Sequence, residues 1–168
     1  LVIELASLAA TTVAGRLIRG AELGDCVALE DMLSRCSLES RYGRFLGPIR
    51  SFPAGHLAAV TGHRPDVDAW VPVIGPDRVV GLASLHGRLE DLGRSGEIGV
   101  LVEDGWQRQG LGSQLLAALA DRARHRGMRQ LRAQILAEHP HVIRTLLRVV
   151  GPGRVDYSHG LAEVTITL

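Results

Sequence analysis

Over the C-terminal two-thirds of this chain the apolar positions switch between a period near 3.6 and a period of two. Leu111, Leu115 and Leu119 recur at i, i+4 and i+8, which predicts a helix over 110–126. Arg122, Arg124 and Arg126 load its end, where cations favour the helix dipole, and Gly127 supplies the stop. Leu131, Ala133 and Ile135 then alternate, which predicts a strand over 129–136 with all three on one face. A helix over 139–151 follows, with Pro140 near its first position, and a strand over 161–168 closes the chain. Upstream, 96–104 reads as a strand, and 68–75 and 78–90 read as two arms of a hairpin around a Gly-Pro-Asp turn. Nearer the N-terminus, 16–20 is a short strand ended by Gly20. The stretch 22–36 suits an amphipathic helix with Leu23, Val27, Met32 and Leu33 as its apolar set. A second helix covers 37–46, with Ser37 as N-cap and a stop at Gly47 and Pro48, and 53–62 holds a further helical turn.

Strand 96–104, helix 110–126 and strand 129–136 form a βαβ unit, and such a crossover makes its two strands parallel. The hairpin ahead of it is antiparallel. The fold class is therefore α/β with a mixed sheet. No repeat or low-complexity linker divides the 168 residues, so the chain reads as one domain, 1–168, with 1–15 as an N-terminal extension of unassigned structure. Hydrophobic residues at 46% and charged residues at 22% are those of a soluble globular protein. A formal charge of +1 argues against a nucleic-acid partner. Cys26 and Cys36 lack the spacing of a zinc site or a disulfide scaffold and suit a reducing cytosol. No apolar run approaches a membrane span, and the apolar stretch at 1–15 has no basic residues before its core, which argues against a signal peptide. The expected setting is the cytoplasm, with no membrane partner. All 19 basic residues are arginine, and the chain has no lysine.

The chemistry concentrates where strand 96–104 gives way to helix 110–126. Gly110 and Gly112 open that helix, and its first-turn N–H groups have no intrahelical partner. With the positive end of the dipole they form an anion site, and glycines let a phosphate oxygen reach the backbone. Arg108 adds a fixed charge, and Gln107 orders the turn or donates a hydrogen bond. The ligand implied is a diphosphate. A P-loop is excluded because it requires a lysine. A dinucleotide-binding turn would need glycine where Leu115 stands.

Gln107-Arg108-Gln109-Gly110-Leu111-Gly112 resembles the Gln/Arg-x-x-Gly-x-Gly/Ala loop of the GNAT N-acetyltransferases, and here it has a strand before it and a helix, strand and helix after it. The resemblance spans about 16–168. It implies the GNAT fold, a mainly antiparallel sheet with splayed strands around the central βαβ unit, and acetyl-CoA as donor. The pyrophosphate would rest on backbone amides of Gln107, Arg108, Gln109, Gly110, Leu111 and Gly112 and on Ser113. The pantetheine would pair along Val100, Leu101 and Val102 like an added strand. Gly99 would be a bulge beside the splay. A narrower resemblance lies in 36–46, which looks like the Ser-x-Glu-Ser-x-x-x-Arg-Phe segment of bacterial protein-lysine acetyltransferases, a helical region that walls the acceptor site.

In the family an amine attacks the thioester directly, so a base must take its proton and a backbone N–H, here near Val100, must meet the oxyanion. Glu97 stands where that branch carries a glutamate and is the catalytic candidate; its apolar neighbours would raise its pKa. The alternative is a strand-edge carboxylate paired to Arg94 or Arg88. The family's acid motif is missing: His139 or Pro140 takes the place of an Asn, and Leu146 or Leu147 that of a Tyr, while Tyr157 lies further on. The acceptor expected is a primary amine, a protein lysine ahead of an aminoglycoside or polyamine. The missing acid also leaves open a CoA-binding sensor module. Family members often dimerise, which allows a homodimer. His139 and His141 lack a ligand cluster, so no metal is expected. His56, His63, His86 and His159 read as surface or loop residues, and Trp70 and Trp106 as packing residues. The arginines 122, 124, 126, 129 and 132 read as a solvated surface, with one or two reaching the CoA 3′-phosphate.

Overall fold

This computed structural model describes residues 11–13, 16–88, 90 and 92–168. Strand β1 (Thr11–Val13) pairs with β2 (Arg16–Gly20). A 3₁₀ turn at Leu23–Asp25 leads into α1 (Cys26–Arg35), α2 (Leu38–Phe45) and α3 (His56–Thr61). Then come β3 (Val67–Ile74), β4 (Arg78–Val79), β5 (Gly81–Gly87) and β6 (Ser95–Val102). Helix α4 (Leu111–His125), β7 (Gln130–Leu136), α5 (Pro140–Val150), β8 (Gly153–Ser158) and β9 (Leu161–Thr167) complete the chain. The strands form one sheet in the order β1-β2-β3-β5-β6-β7-β9-β8, with β4 on β3. The β6–β7 pairing, bridged by α4, is parallel, and the other pairings are antiparallel.

The sheet is covered on both faces. On one, Leu111, Leu115 and Leu119 of α4 pack with Leu131, Ala133 and Ile135 of β7 and with Ile143 and Leu146 of α5. The 3.6-residue stripe and the alternation read from the sequence thus meet as a single core. On the other face, α1 and α3 pack over Val71, Val73, Leu82 and Leu101. The apolar face of α1 differs from expectation. Leu23 and Val27 are 72% and 74% exposed, and the inner stripe is Leu29, Met32, Leu33 and Cys36. Those four follow i, i+3, i+4, i+7, and that stripe, starting only once the helix proper has begun at Cys26, sets its rotation.

Two strands escape the hydrophobic pattern. β1 falls within the stretch assigned to the N-terminal extension; the rest of that stretch lies outside the described residues. β8 is an edge strand, largely exposed along its length, so no alternation marks it. Ser37 caps α2, accepting from the Ser40 N–H at 3.1 Å. Trp70 is buried in the core, and Trp106 packs against it beneath the Arg16 guanidinium, 5.4 Å away.

Candidate active site

The parallel pairing of β6 with β7 lasts three rungs, Ser95–Gln130, Gly96–Leu131 and Glu97–Arg132. Beyond Glu97, β6 stays with β5 as far as Val102, while β7 stays with β9 as far as Leu136. The two strands part because each is held by its outer neighbour, and a wedge opens between Ile98–Val102 and 133–135. A cleft of about 720 Å³ occupies the wedge, walled by α2, the start of α4 and the start of α5. Val100, Leu101 and Val102 line it. The β5–β6 register is unbroken through Gly99, which corrects the expected bulge there. Gly99 has a different purpose: the guanidinium of Arg44 lies where its Cβ would stand.

At the end of the cleft where β6 finishes, Gly110 is the N-cap of α4, with φ 81° and ψ −7°. That left-handed conformation favours glycine. The Gln114 N–H is the one that returns to the Gly110 carbonyl, at 3.1 Å, so the amides of Leu111, Gly112 and Ser113 precede the helical bonding. Nothing lies within 4 Å of where a Cβ would stand on Gly110 or Gly112. Both glycines, Ser113, Arg108 and Arg148 line the cleft. The donor set and the free space fit a diphosphate. Leu111 sends its side chain into the core, and Gln109 turns to Arg16, whose Nη2 donates to its Oε1 at 2.7 Å. Both contribute to the loop through backbone. The Gln107 amide donates to the Asp104 carbonyl at 3.2 Å and is committed within its own turn.

The two motifs, separate in the sequence, interlock. Asp104 accepts from the Ser37 N–H at 2.8 Å, the Ser37 hydroxyl at 2.6 Å and the Ser40 hydroxyl at 3.0 Å. Gln107 Nε2 donates to Ser40 Oγ at 2.9 Å and to the Val102 carbonyl at 3.0 Å. Ser37 and Ser40 therefore clamp α2 to the loop that leads into α4. Burial pushes the Asp104 carboxyl up, but the hydrogen bonds from Ser37 and Ser40 outweigh it and hold the group below the usual carboxylate range.

Glu97 is exposed on β6, cross-strand from His86, and lines the cleft with Arg44. The apolar residues beside it in sequence do not make its surroundings apolar. Charged and titratable groups face it, since Glu97 acts through space on both Arg44 and His86. Arg88, one alternative partner, pairs with Glu90 at 2.6 Å. His56 and His86, expected at the surface, are half-buried. His56 stacks on Phe52 with centroids 5.4 Å apart, and His86 is 6.1 Å from His56. Burial, aided by Arg44 and His86, pushes His56 down to about 4, so it is neutral at pH 7. Arg44, Ser84, His56 and His86 come together only through the packing of α2, α3 and β5. The single sequence signal for this cluster was the Arg-Phe pair at 44–45.

At the start of α5, His139, His141, Thr145 and Leu146 line the cleft. Tyr157 is 64% exposed on the edge strand β8, away from it. The arginines of the α4 end also differ from expectation. Arg122 and Arg126 both bind Asp68 of β3, at 2.8 and 2.6 Å, and Arg124 donates to the Val150 carbonyl at 3.0 Å. They fasten α4 to the sheet and to α5, and the arginines on the cleft are Arg44, Arg108 and Arg148. Among the described residues, no group of three or more His, Cys, Asp or Glu is placed to hold a metal ion, and no helix is long and apolar enough to cross a membrane.

Comparison with known proteins agrees with this geometry. The model of the Acetyltransferase (GNAT) family matches residues 30–151. Comparison with curated protein sequences gives no match. Among solved structures, the GNAT domain of PAT from S. lividans superposes with a TM-score of 0.81 at 22% identity, over 91% of this chain and 90% of that one. A putative acetyltransferase from Salmonella typhimurium, with its cofactor acetyl-CoA, gives 0.73 at 22% identity, over 92% and 94%. Spermidine N-acetyltransferase from Vibrio cholerae, in complex with CoA and spermine, gives 0.69 at 14% identity, over 92% and 96%. At these identities the likeness is one of fold.

Proposed function

We propose, from the premise that this chain belongs to the GNAT acetyltransferase family and is an acetyl-CoA-dependent N-acetyltransferase, that its acceptor is a primary amine presented as a protein lysine side chain. The observation that carries this reading is the charge on the cleft wall. Glu39 and Glu97 are its carboxylates, against the guanidiniums of Arg44, Arg108 and Arg148. A polyamine carries several positive charges and calls for an excess of carboxylate; a single lysine amine on a polypeptide does not. The Ser-x-Glu-Ser-x-x-x-Arg-Phe resemblance of α2 points the same way.

In this reading the amides of 110–113, with Arg108, hold the diphosphate, and the backbone of Val100–Val102 pairs with the pantetheine. Acetyl-CoA supplies an acyl group activated as a thioester. A backbone N–H near Val100 donates to the carbonyl oxygen as negative charge develops there. Glu97 takes the proton of the incoming amine, which must be neutral to attack. Two free thiols, one of them buried, suit a cytosolic setting.

One observation favours a second reading: Leu146, without a proton to give, lines the α5 wall where the family's tyrosine is expected. A CoA-binding sensor with little turnover would have no need of an acid there. Release of free thiol from acetyl-CoA, measured with lysine peptides, spermidine and an aminoglycoside, separates the readings. Faster release with lysine peptides is the expected result. Release with the small amines alone makes the protein a small-molecule enzyme, and none with any amine makes it a sensor.

A further inference from the structure

The least satisfied charge in the cleft is Arg44. Its guanidinium fills the place of a Cβ on Gly99, its Nη2 donates to the buried Ser84 hydroxyl at 3.1 Å, and its Nε is buried without a partner. The Phe45 ring lies 4.9 Å from its Cζ. Among the described residues no carboxylate forms an ion pair with it, although Glu97 acts on it through space. Burial pulls its pKa down to about 10, with Glu97 opposing that shift. Arg44 as a whole is half-buried, and a cation withdrawn from water without an anion is costly. A carboxylate, planar and two-pronged, is the group a guanidinium fork matches best.

The position of Arg44 says where that carboxylate would be. The phosphate loop follows the C-terminal end of β6, so a pantetheine chain runs back along the strand from Val102 towards Val100. The wedge closes at Glu97. The acyl end therefore arrives at Gly99, under the Arg44 guanidinium and far from the phosphates.

We propose that Arg44 is a carboxylate-binding residue at the reacting end of the cleft, so that the enzyme takes a substrate with a carboxylate close to the reacting carbon. This rests on the acyl-transfer reading above and extends it. A dicarboxylic acyl-CoA of the malonyl or succinyl class brings the carboxylate from the donor side, which the position over Gly99 favours. A free amino acid brings it from the acceptor side. The transfer is balanced as for acetyl: the amine nitrogen bonds to the carbonyl carbon, and the C–S bond breaks with its electron pair on sulfur. The amine proton passes to Glu97 and from there to the leaving thiolate, giving amide and free CoA.

The test compares kcat/KM for succinyl-CoA and its size-matched uncharged analogue butyryl-CoA, with a lysine peptide free of Asp and Glu and amidated at its C-terminus. A second arm uses acetyl-CoA with free lysine and with lysinamide. Both are run on the wild type, Arg44→Met and Arg44→Lys, with melting curves to show that each variant is folded. The expected result is a preference for the carboxylate partner in one arm, on the order of ten- to a hundredfold, the strength of a charge-assisted pairing. It is lost in Arg44→Met and partly restored in Arg44→Lys. The responding arm identifies the source. Ratios that are equal in wild type and Arg44→Met, or wild-type ratios of one or below in both arms, overturn the proposal. If Arg44→Met does not fold, the wild-type ratios and Arg44→Lys decide. If the wild type turns over no amine at all, the transferase reading fails instead. Calorimetric affinities for succinyl-CoA and butyryl-CoA, in wild type and Arg44→Lys, then decide this one by the same criteria.

Discussion

Gly112→Ala is expected to make the protein more stable while it keeps its affinity for CoA. Gly112 is the second residue of α4 and lines the cleft, and an added Cβ meets nothing within 4 Å. Its backbone is helical, so alanine fits without strain. Alanine exceeds glycine in helix propensity by up to ~1 kcal/mol and also restricts the unfolded chain. In a chain of this size that raises Tm by roughly 2–4 °C per kcal/mol. The loop of the family takes Gly or Ala at this position, so the methyl leaves the amides of Leu111–Ser113 open to a diphosphate. A substitution that does remove one hydrogen bond to the charged group costs about 1.5–3 kcal/mol, roughly a 10- to 150-fold weaker Kd. Gly110→Val is the contrast. At φ 81° a branched residue is strained by about 1–3 kcal/mol, so this variant should lose stability and affinity together. Calorimetry with CoA and thermal melting on the same samples read both quantities. Unchanged affinity in a folded Gly110→Val protein would refute the placement of the diphosphate at this helix end.

Three further outcomes are expected. Glu97→Gln should keep CoA affinity and lose turnover by on the order of a hundredfold or more, read as rates across a pH series; wild-type rates throughout would remove Glu97 from proton transfer. Asp104→Asn should weaken both the docking of α2 and the affinity for CoA. Because the Asp104 carboxyl is held below its ordinary value of about 3.9, its contribution is complete above that pH and is lost as pH falls through the lower folded value. An acid unfolding profile identical in wild type and Asp104→Asn would contradict this. Finally, prolonged incubation of the untagged chain with acetyl-CoA should add at most one stable acetyl group by intact mass, since the sequence has no lysine and arginine stays protonated. Cys36 is no alternative nucleophile, because burial, with Asp104 and Glu103 nearby, pushes its thiol up to about 12. Two or more additions that survive hydroxylamine would disprove it.

What the sequence disclosed follows from the range over which each feature is encoded. Helix α4 and strand β7 were legible because Leu111, Leu115 and Leu119, and then Leu131, Ala133 and Ile135, repeat within a few residues of one another. The glycine pair that opens α4 was legible because a helix start is a local event. Strand β8 was not, because an edge strand exposed along its length has no apolar alternation to display. The phase of α1 was not legible either, because Leu23 and Val27 count equally with Met32 and Leu33 in the pattern, although only the latter two face the sheet. The clamp between Ser37, Ser40, Asp104 and Gln107, and the packing of Arg44 against Gly99, join residues more than fifty positions apart. Each partner looked ordinary by itself. Gly99 in particular carries no sign in the sequence of which side chain will occupy its missing Cβ.

The wedge between β6 and β7 bears on how long the protein survives. A sheet that parts after three rungs leaves backbone unpaired on both lips, and a ligand lying along Val100–Val102 takes the role of the absent strand. Ligand binding is then a late act of folding. At a concentration a hundred times its Kd, such a ligand adds about 2.7 kcal/mol to the native state, and each further tenfold adds about 1.4. A chain saturated with such a ligand is correspondingly harder for a protease to open than a ligand-free one. In limited proteolysis the lifetime of the intact chain should therefore lengthen as acyl-CoA is added.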